Sequence, residues 1–175
     1  TTYSGSSSGD YKPGMLCTAP ELKTLCKKTE ATMLVEDKDE IYYRDSCGNP
    51  ANIYDSSRYS EDNYWRYIVA KNNSCGSGVS NAGSKTCGNC DYKFGNIAGK
   101  VDALLKPDKG NYICKDLNCK DKNNTARKNG ESWCVGPKDG EIYVGTRYFR
   151  EYCLNGEIYT EPCADYRMEI CNQNE

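Results

Sequence analysis

A small, disulfide-rich, mainly β fold with short helices is what this sequence predicts, on three observations: twelve cysteines, fifteen tyrosines and too few aliphatic residues for an ordinary interior. Leu, Ile, Val and Phe together supply 24 of 175 residues, a fraction at which strongly charged chains stay unfolded. The formal net charge is only −2, so the charge half of that condition fails. The interior is expected to rest on cross-links and tyrosine rings.

The cysteines are Cys17, Cys26, Cys47, Cys75, Cys87, Cys90, Cys114, Cys119, Cys134, Cys153, Cys163 and Cys171. Their even count allows every one to be bridged. Reducing compartments keep thiols free, so the pattern predicts an oxidised framework and an extracellular or cell-surface setting, with the chain in its mature form and no signal peptide in it. A bridge contributes ~2–4 kcal/mol, so a full set rivals the ~5–15 kcal/mol net stability of a domain. Two other readings use the same residues. Cys87-Gly-Asn-Cys90 with Cys114 and Cys119 has a loose four-thiolate zinc spacing, and Cys87-Gly-Asn-Cys90 alone has the form of a thiol–disulfide exchange motif. The remaining cysteines, and the lack of a strand–loop–helix pattern here, favour bridges from Cys87 and Cys90 to different partners across a tight Gly-Asn turn.

Composition excludes several functions. With no histidine, Ser/His/Asp triads, Cys/His dyads and His-ligated zinc are ruled out. The 23 basic and 25 acidic residues are interspersed, leaving no basic stripe for nucleic acid. No stretch approaches the roughly 20 apolar residues of a membrane span. No cofactor is implied.

Along the chain, residues 1–14 form a Ser/Thr/Gly-rich arm, too poor in apolar surface to offset the ordering of its backbone. Thr18-Ala-Pro-Glu21 has capping-box spacing and predicts a short helix over about 19–28. Met33–Val35 and Ile41–Tyr43 predict a hairpin around the charged turn 36–40, and a strand is expected at Tyr64–Ala70. The Gly/Ser-rich stretch 76–86 is the candidate boundary between lobes 15–80 and 81–175, if these are not one continuous domain. Near the end, Asn155-Gly156 joins runs 147–154 and 157–161, the signature of a type I′ hairpin. Pro162 closes the second run, and a helical turn is expected over 164–170.

Two N-glycosylation sequons stand in polar surroundings, Asn72-Asn-Ser74 and Asn123-Asn-Thr125. The pairs Glu157 with Glu161 and Asp165 with Glu169 have the residue types of a glycosidase acid and base, although spaced carboxylates usually mark a solvated face. Asp37, Asp39 and Glu40 offer oxygen ligands without the spacing of a calcium loop. Trp65, Trp133, Tyr148, Tyr152 and Tyr159 are candidates for protein contacts or sugar stacking, since rings with a polar tip suit half-buried faces. The competing reading packs the aromatics over the disulfides.

Asn129-Gly-Glu-Ser-Trp-Cys134, Val144-Gly-Thr-Arg-Tyr148, Cys153-Leu-Asn-Gly-Glu157 and Glu161-Pro-Cys-Ala-Asp-Tyr-Arg167, followed by Glu169-Ile-Cys171, resemble cysteine-rich exported proteins encoded in archaeal genomes, particularly of small-genome lineages. Cys87-Gly-Asn-Cys-Asp-Tyr92 and Cys114-Lys-Asp-Leu-Asn-Cys119 are similar to the middle of the same proteins. The resemblance spans about residues 85–171. It implies a cell-surface or extracellular setting and supplies no catalytic residue. The expected role is therefore structural and not enzymatic: a self-associating subunit of a surface layer or filament, or its adhesive module. A glycan-binding module is the alternative, and a carboxylate-only glycosidase ranks third.

Overall fold

The computed structural model describes residues 12–101, 104–136 and 148–163. Its regular structure is ten short strands and five single turns of 3-10 helix, with no α-helix among the described residues. The protein is a small disulfide-rich β fold. The arm before residue 12, the turn expected at 164–170, Cys171 and the Asp165/Glu169 pair lie outside the described residues.

The predicted first helix reduces to one turn, Pro20–Leu22. Thr18 does not cap it, because its hydroxyl donates to the Trp65 carbonyl instead. Lys23 then takes a left-handed conformation (φ 52°) and returns its N–H to the Pro20 carbonyl, ending the turn. Leu25 is left 90% exposed, and the next residue is drawn away by the Cys26–Cys47 bridge.

The first hairpin forms where the sequence places it. Strand β1 (Thr32–Leu34) pairs antiparallel with β2 (Ile41–Arg44), with Leu34 opposite Ile41 and Thr32 opposite Tyr43. Alternation puts Ile41 and Tyr43 inward and fully buried. Strand β3 (Pro50–Ile53) adds to the other side of β2. The intervening turn is organised by Asp45, whose carboxylate accepts the N–H groups of Cys47 (2.9 Å) and Asn49 (2.8 Å). A cluster of Cys26, Asp45 and Cys47 has a metal-like grouping, but its sulfurs are joined to each other and its carboxylate is occupied by the turn.

The strand expected at 64–70 is absent. Residues Asp62–Trp65 make a 3-10 turn, and only Tyr67 enters a bridge, with Met15. The cause is Asn52, a buried amide that substitutes for a neighbouring strand. Its Nδ2 donates to the Tyr64 and Tyr67 carbonyls (2.5 and 2.8 Å), and its Oδ1 accepts the Val69 N–H (2.7 Å).

Tyr43 sits at the centre of the larger core. Its ring centroid lies 5.0 Å from Trp65, 5.3 Å from Tyr54, 5.7 Å from Tyr59 and 6.3 Å from Tyr64. The buried polar tips find partners: Tyr43 Oη donates to the Asp55 carbonyl, Tyr54 Oη to that of Lys85, Tyr64 Oη to that of Ile53, and Trp65 Nε1 to that of Tyr59. Buried tyrosines need such outlets. The Cys90–Cys114 bridge packs into the same cluster, so this half of the aromatic set packs over a disulfide.

Residues 76–86, the candidate boundary, are stitched into this core. Cys75–Cys87 closes the segment. Gly88 then bonds both the Ile41 N–H and the Tyr54 carbonyl. It passes so close that an added Cβ would lie 2.8 Å from both the Ile41 and Tyr54 Cβ atoms. Strands β4 (Asn96–Lys100) and β5 (Tyr112–Asp116) form a hairpin beside it. The core cluster therefore draws on both sides of 76–86.

Past Leu117 the chain makes a short hairpin, β6 (Cys119–Lys120) with β7 (Ala126–Arg127), and a three-stranded sheet of β8 (Ser132–Val135), β9 (Phe149–Leu154) and β10 (Glu157–Pro162), with β9 central. Asn155 and Gly156 (φ 54° and 84°) supply the two left-handed positions of the predicted turn. The Gly156 N–H reaches back to the Leu117 carbonyl (2.9 Å). A second, smaller core forms from Trp133 and the Cys119–Cys153 bridge.

The bridges are Cys26–Cys47, Cys75–Cys87, Cys90–Cys114 and Cys119–Cys153, and Cys134 is disulfide-bonded as well. Cys87 and Cys90 bridge to different partners, which overturns both the zinc and the exchange-motif readings. Cys17 and Cys163 correct the expectation of complete pairing. Both are free thiols, Cys17 exposed in the segment before the first sheet and Cys163 half-buried directly after β10.

Candidate functional site

The aromatic candidates divide by burial. Trp65 and Trp133 are 4% and 5% exposed, so neither offers a free ring face, and their role as open platforms is corrected: both are core residues with capped N–H groups. Tyr148 is half-buried beside the end of β10, where its carbonyl accepts the Cys163 N–H. Tyr152 and Tyr159 face each other across β9 and β10. They stack nearly parallel, with centroids 5.5 Å apart and planes 16° from each other. Arg150 and Glu161, the next pair along the same face, are joined Nη2 to Oε2 at 2.6 Å. That guanidinium holds the Glu161 carboxyl below its ordinary range, and the Glu157 carboxylate raises the phenol of Tyr159, whose hydroxyl donates to it at 2.9 Å.

The carboxylate pair Glu157 and Glu161 does not have a catalytic geometry. Four residues along a strand span about 13 Å, beyond the ~5–9.5 Å of glycosidase carboxyls, and each carboxylate already has a partner. Asp37, Asp39 and Glu40 also diverge. Asp39 accepts the Tyr92 N–H, and Glu40 turns inward to Lys71 Nζ (2.6 Å) and the Tyr42 hydroxyl (3.1 Å).

A cleft of about 480 Å³ opens beside the smaller core, lined by Lys122, Asn123, Arg127, Trp133, Val135 and Glu151 among others. Its geometry starts at Asp121, directly after β6. The buried carboxylate accepts the N–H groups of Asn123 and Thr125 (both 2.9 Å) and Arg127 Nε (3.1 Å). Hydrogen bonds to the charged form hold this carboxyl below its ordinary range, the Thr125 N–H foremost. Asn124 takes a left-handed conformation (φ 63°) to close the turn. Arg127 is thereby fixed over Trp133, its guanidinium carbon 4.6 Å from the ring centroid, with Nη1 on Glu131 Oε1 (2.8 Å). Trp133 Nε1 donates to Glu151 Oε2 (2.9 Å). The cleft thus has an apolar floor and a rim of donors and acceptors held rigid by ion pairs, a chemistry that suits a polyol.

Arg127, Asp121 and Glu151 were not candidates from the sequence. Asp121-x-Asn-x-Thr125, a side chain bonding backbone two and four residues on, is the signal that could have found the turn. The two sequons differ in setting. Asn72 lies in the turn Lys71–Asn73 just before the bridged Cys75, and the Ser74 hydroxyl donates to the Ala70 carbonyl (3.1 Å). Asn123 is exposed at the mouth of the cleft. No helix among the described residues is long and apolar enough to cross a membrane. No family model, curated protein or solved structure matches the chain.

Proposed function

We propose that this is an extracellular structural protein, a self-associating subunit of a cell-surface layer or filament, or the adhesive module of one. The observation that carries the reading is β10. Among the described residues it is an edge strand, with five of its six residues exposed, and its hairpin leaves Phe149, Leu154, Ile158 and Tyr159 exposed. An edge of this kind can accept a strand from another copy, and the Ser/Thr/Gly-rich arm of a neighbour is a candidate donor. Repeated head-to-tail contact of this sort gives an open helical filament. The disulfide framework supports an exported setting, in line with the resemblance to archaeal exported proteins.

The test is electron microscopy and native mass measurement at high protein concentration, on the full chain and on one lacking residues 1–14. Filaments or sheets that disappear on the deletion are expected. Dispersed monomers in both samples would count against assembly. A glycan-binding module is the second reading, favoured by the stacked Tyr152–Tyr159 pair flanked by Arg150 and Glu161. Saturable glycan binding abolished by Tyr159→Ala, without assembly, would select it.

A further inference from the structure

We infer that Asn123 is an N-glycosylation site and that the cleft beneath it seats the first sugar of the attached chain. The inference goes beyond the assembly reading and shares with it only the extracellular setting.

Four observations meet at this position. Asn123 completes a sequon with Thr125, and both residues are exposed. Among the described residues neither the Asn123 carboxamide nor the Thr125 hydroxyl makes a hydrogen bond; only their backbone groups are engaged, by Asp121. Asn123 itself lines the cleft of about 480 Å³, so a sugar on its Nδ2 emerges at the mouth of a hollow that already has the size range of a small-molecule site. The walls hold what a pyranose ring uses: apolar surface at Val135 for its C–H face, and Lys122, Arg127 and Glu151 for its hydroxyls.

The other sequon lacks two of these features, the free hydroxyl and the cleft. The Ser74 hydroxyl is spent on the Ala70 carbonyl, and Asn72 does not line the cleft. The sugar class is therefore the proximal residue of an N-linked oligosaccharide, delivered from a polyprenyl phosphate donor by a membrane transferase. Asn123 Nδ2 bonds to C1 of the donor sugar. The C1–O bond to the lipid phosphate breaks, the phosphate keeps the electron pair, and the amide nitrogen gives one proton to a base of the transferase.

The experiment uses the full chain, exported through a compartment with active N-glycosylation and carrying a flexible tag with its own sequon as internal control. Glycopeptide mass spectrometry is expected to find sugar on the tag and on Asn123, with the latter lost in both Asn123→Gln and Thr125→Ala. Hydrogen exchange on the native protein is expected to slow at least threefold over residues 122–127 and 133–136 relative to Asn123→Gln, with no change around Asn72. An amidase that releases N-glycans is expected to act at least tenfold more slowly on Asn123 than on the tag until the disulfides are reduced. An occupied tag with an empty Asn123 overturns the site. An occupied Asn123 with unchanged exchange and equal release rates overturns the seating of the sugar. The assembly reading fails by a different readout, the absence of particles in the microscope, whichever way the glycan results fall.

Discussion

Replacing Asn52 with Leu keeps the approximate volume and removes three hydrogen bonds. The Val69 N–H and the Tyr64 and Tyr67 carbonyls lose their partner inside the protein. Each buried group left unpaired costs ~1–3 kcal/mol, so Asn52→Leu is expected to lower stability by at least about 3 kcal/mol, read as a shift in denaturant midpoint at unchanged slope. The same device recurs nearby: Asn81 Nδ2 donates to the Gly76 and Asn89 carbonyls, and Asn89 Nδ2 to those of Lys71 and Cys75. Amides of this kind were invisible in the sequence, because an asparagine that ties two loops together and one that sits in solvent are spelled alike. The tyrosines were legible as a class. Which of them turn inward was not, since that depends on whether a carbonyl such as that of Asp55 or Lys85 comes within reach of the hydroxyl.

Local elements followed their local signals unevenly. The two hairpins, β1–β2 and β9–β10, were legible because alternation and a turn dipeptide act over a few neighbouring residues. The helix at 19–28 and the strand at 64–70 were overruled from a distance, by the Trp65 carbonyl in one case and by Asn52 in the other. The partners of the bridges belong to this scale too, as spacing does not determine pairing. Loop-closure entropy ranks them: a loop of 34 residues in Cys119–Cys153 against 12 in Cys75–Cys87 predicts stabilisation of about 3.8 and about 2.8 kcal/mol. Paired Cys→Ala variants, compared by thermal unfolding, are expected to show the larger loss for Cys119–Cys153. That loss should be accompanied by a change in Trp133 fluorescence, since the bridge and Trp133 share one core. A larger loss for Cys75–Cys87 would mean that the stitching of Gly88 to Ile41 and Tyr54 outweighs chain entropy.

At the scale of the molecule, the interior carries phenols where other proteins carry aliphatic groups, and this gives stability a pH dependence. Burial raises the hydroxyls of Tyr43, Tyr54 and Tyr64 above their ordinary value, and burial together with the Glu40 carboxylate pushes Tyr42 up to about 12. A group that holds its proton more tightly when folded stabilises the fold fully below its unfolded pKa, near 10 for tyrosine, and loses that contribution as the pH rises through the folded value. The protein is therefore expected to be insensitive to pH around neutrality. Above about pH 10 it should lose stability steeply, with the buried share of the tyrosinate absorbance and the loss of near-ultraviolet dichroism rising together. Tyrosinate absorbance reaching the value for all fifteen tyrosines before the structure is lost would contradict a buried tyrosine core.

Three of the bridges, Cys26–Cys47, Cys75–Cys87 and Cys90–Cys114, follow one another along the chain, each closing before the next begins, whereas Cys134, also bridged, lies inside the Cys119–Cys153 loop. Between Cys26 and Cys114, a polypeptide threaded through a pore from its amino end would thus meet each sulfur partner in the order of emergence, and these three pairs would seldom need an isomerase. That stretch can be oxidised as it travels, leaving any choice among sulfur partners to the segment after Leu117, where Cys134 emerges between Cys119 and Cys153.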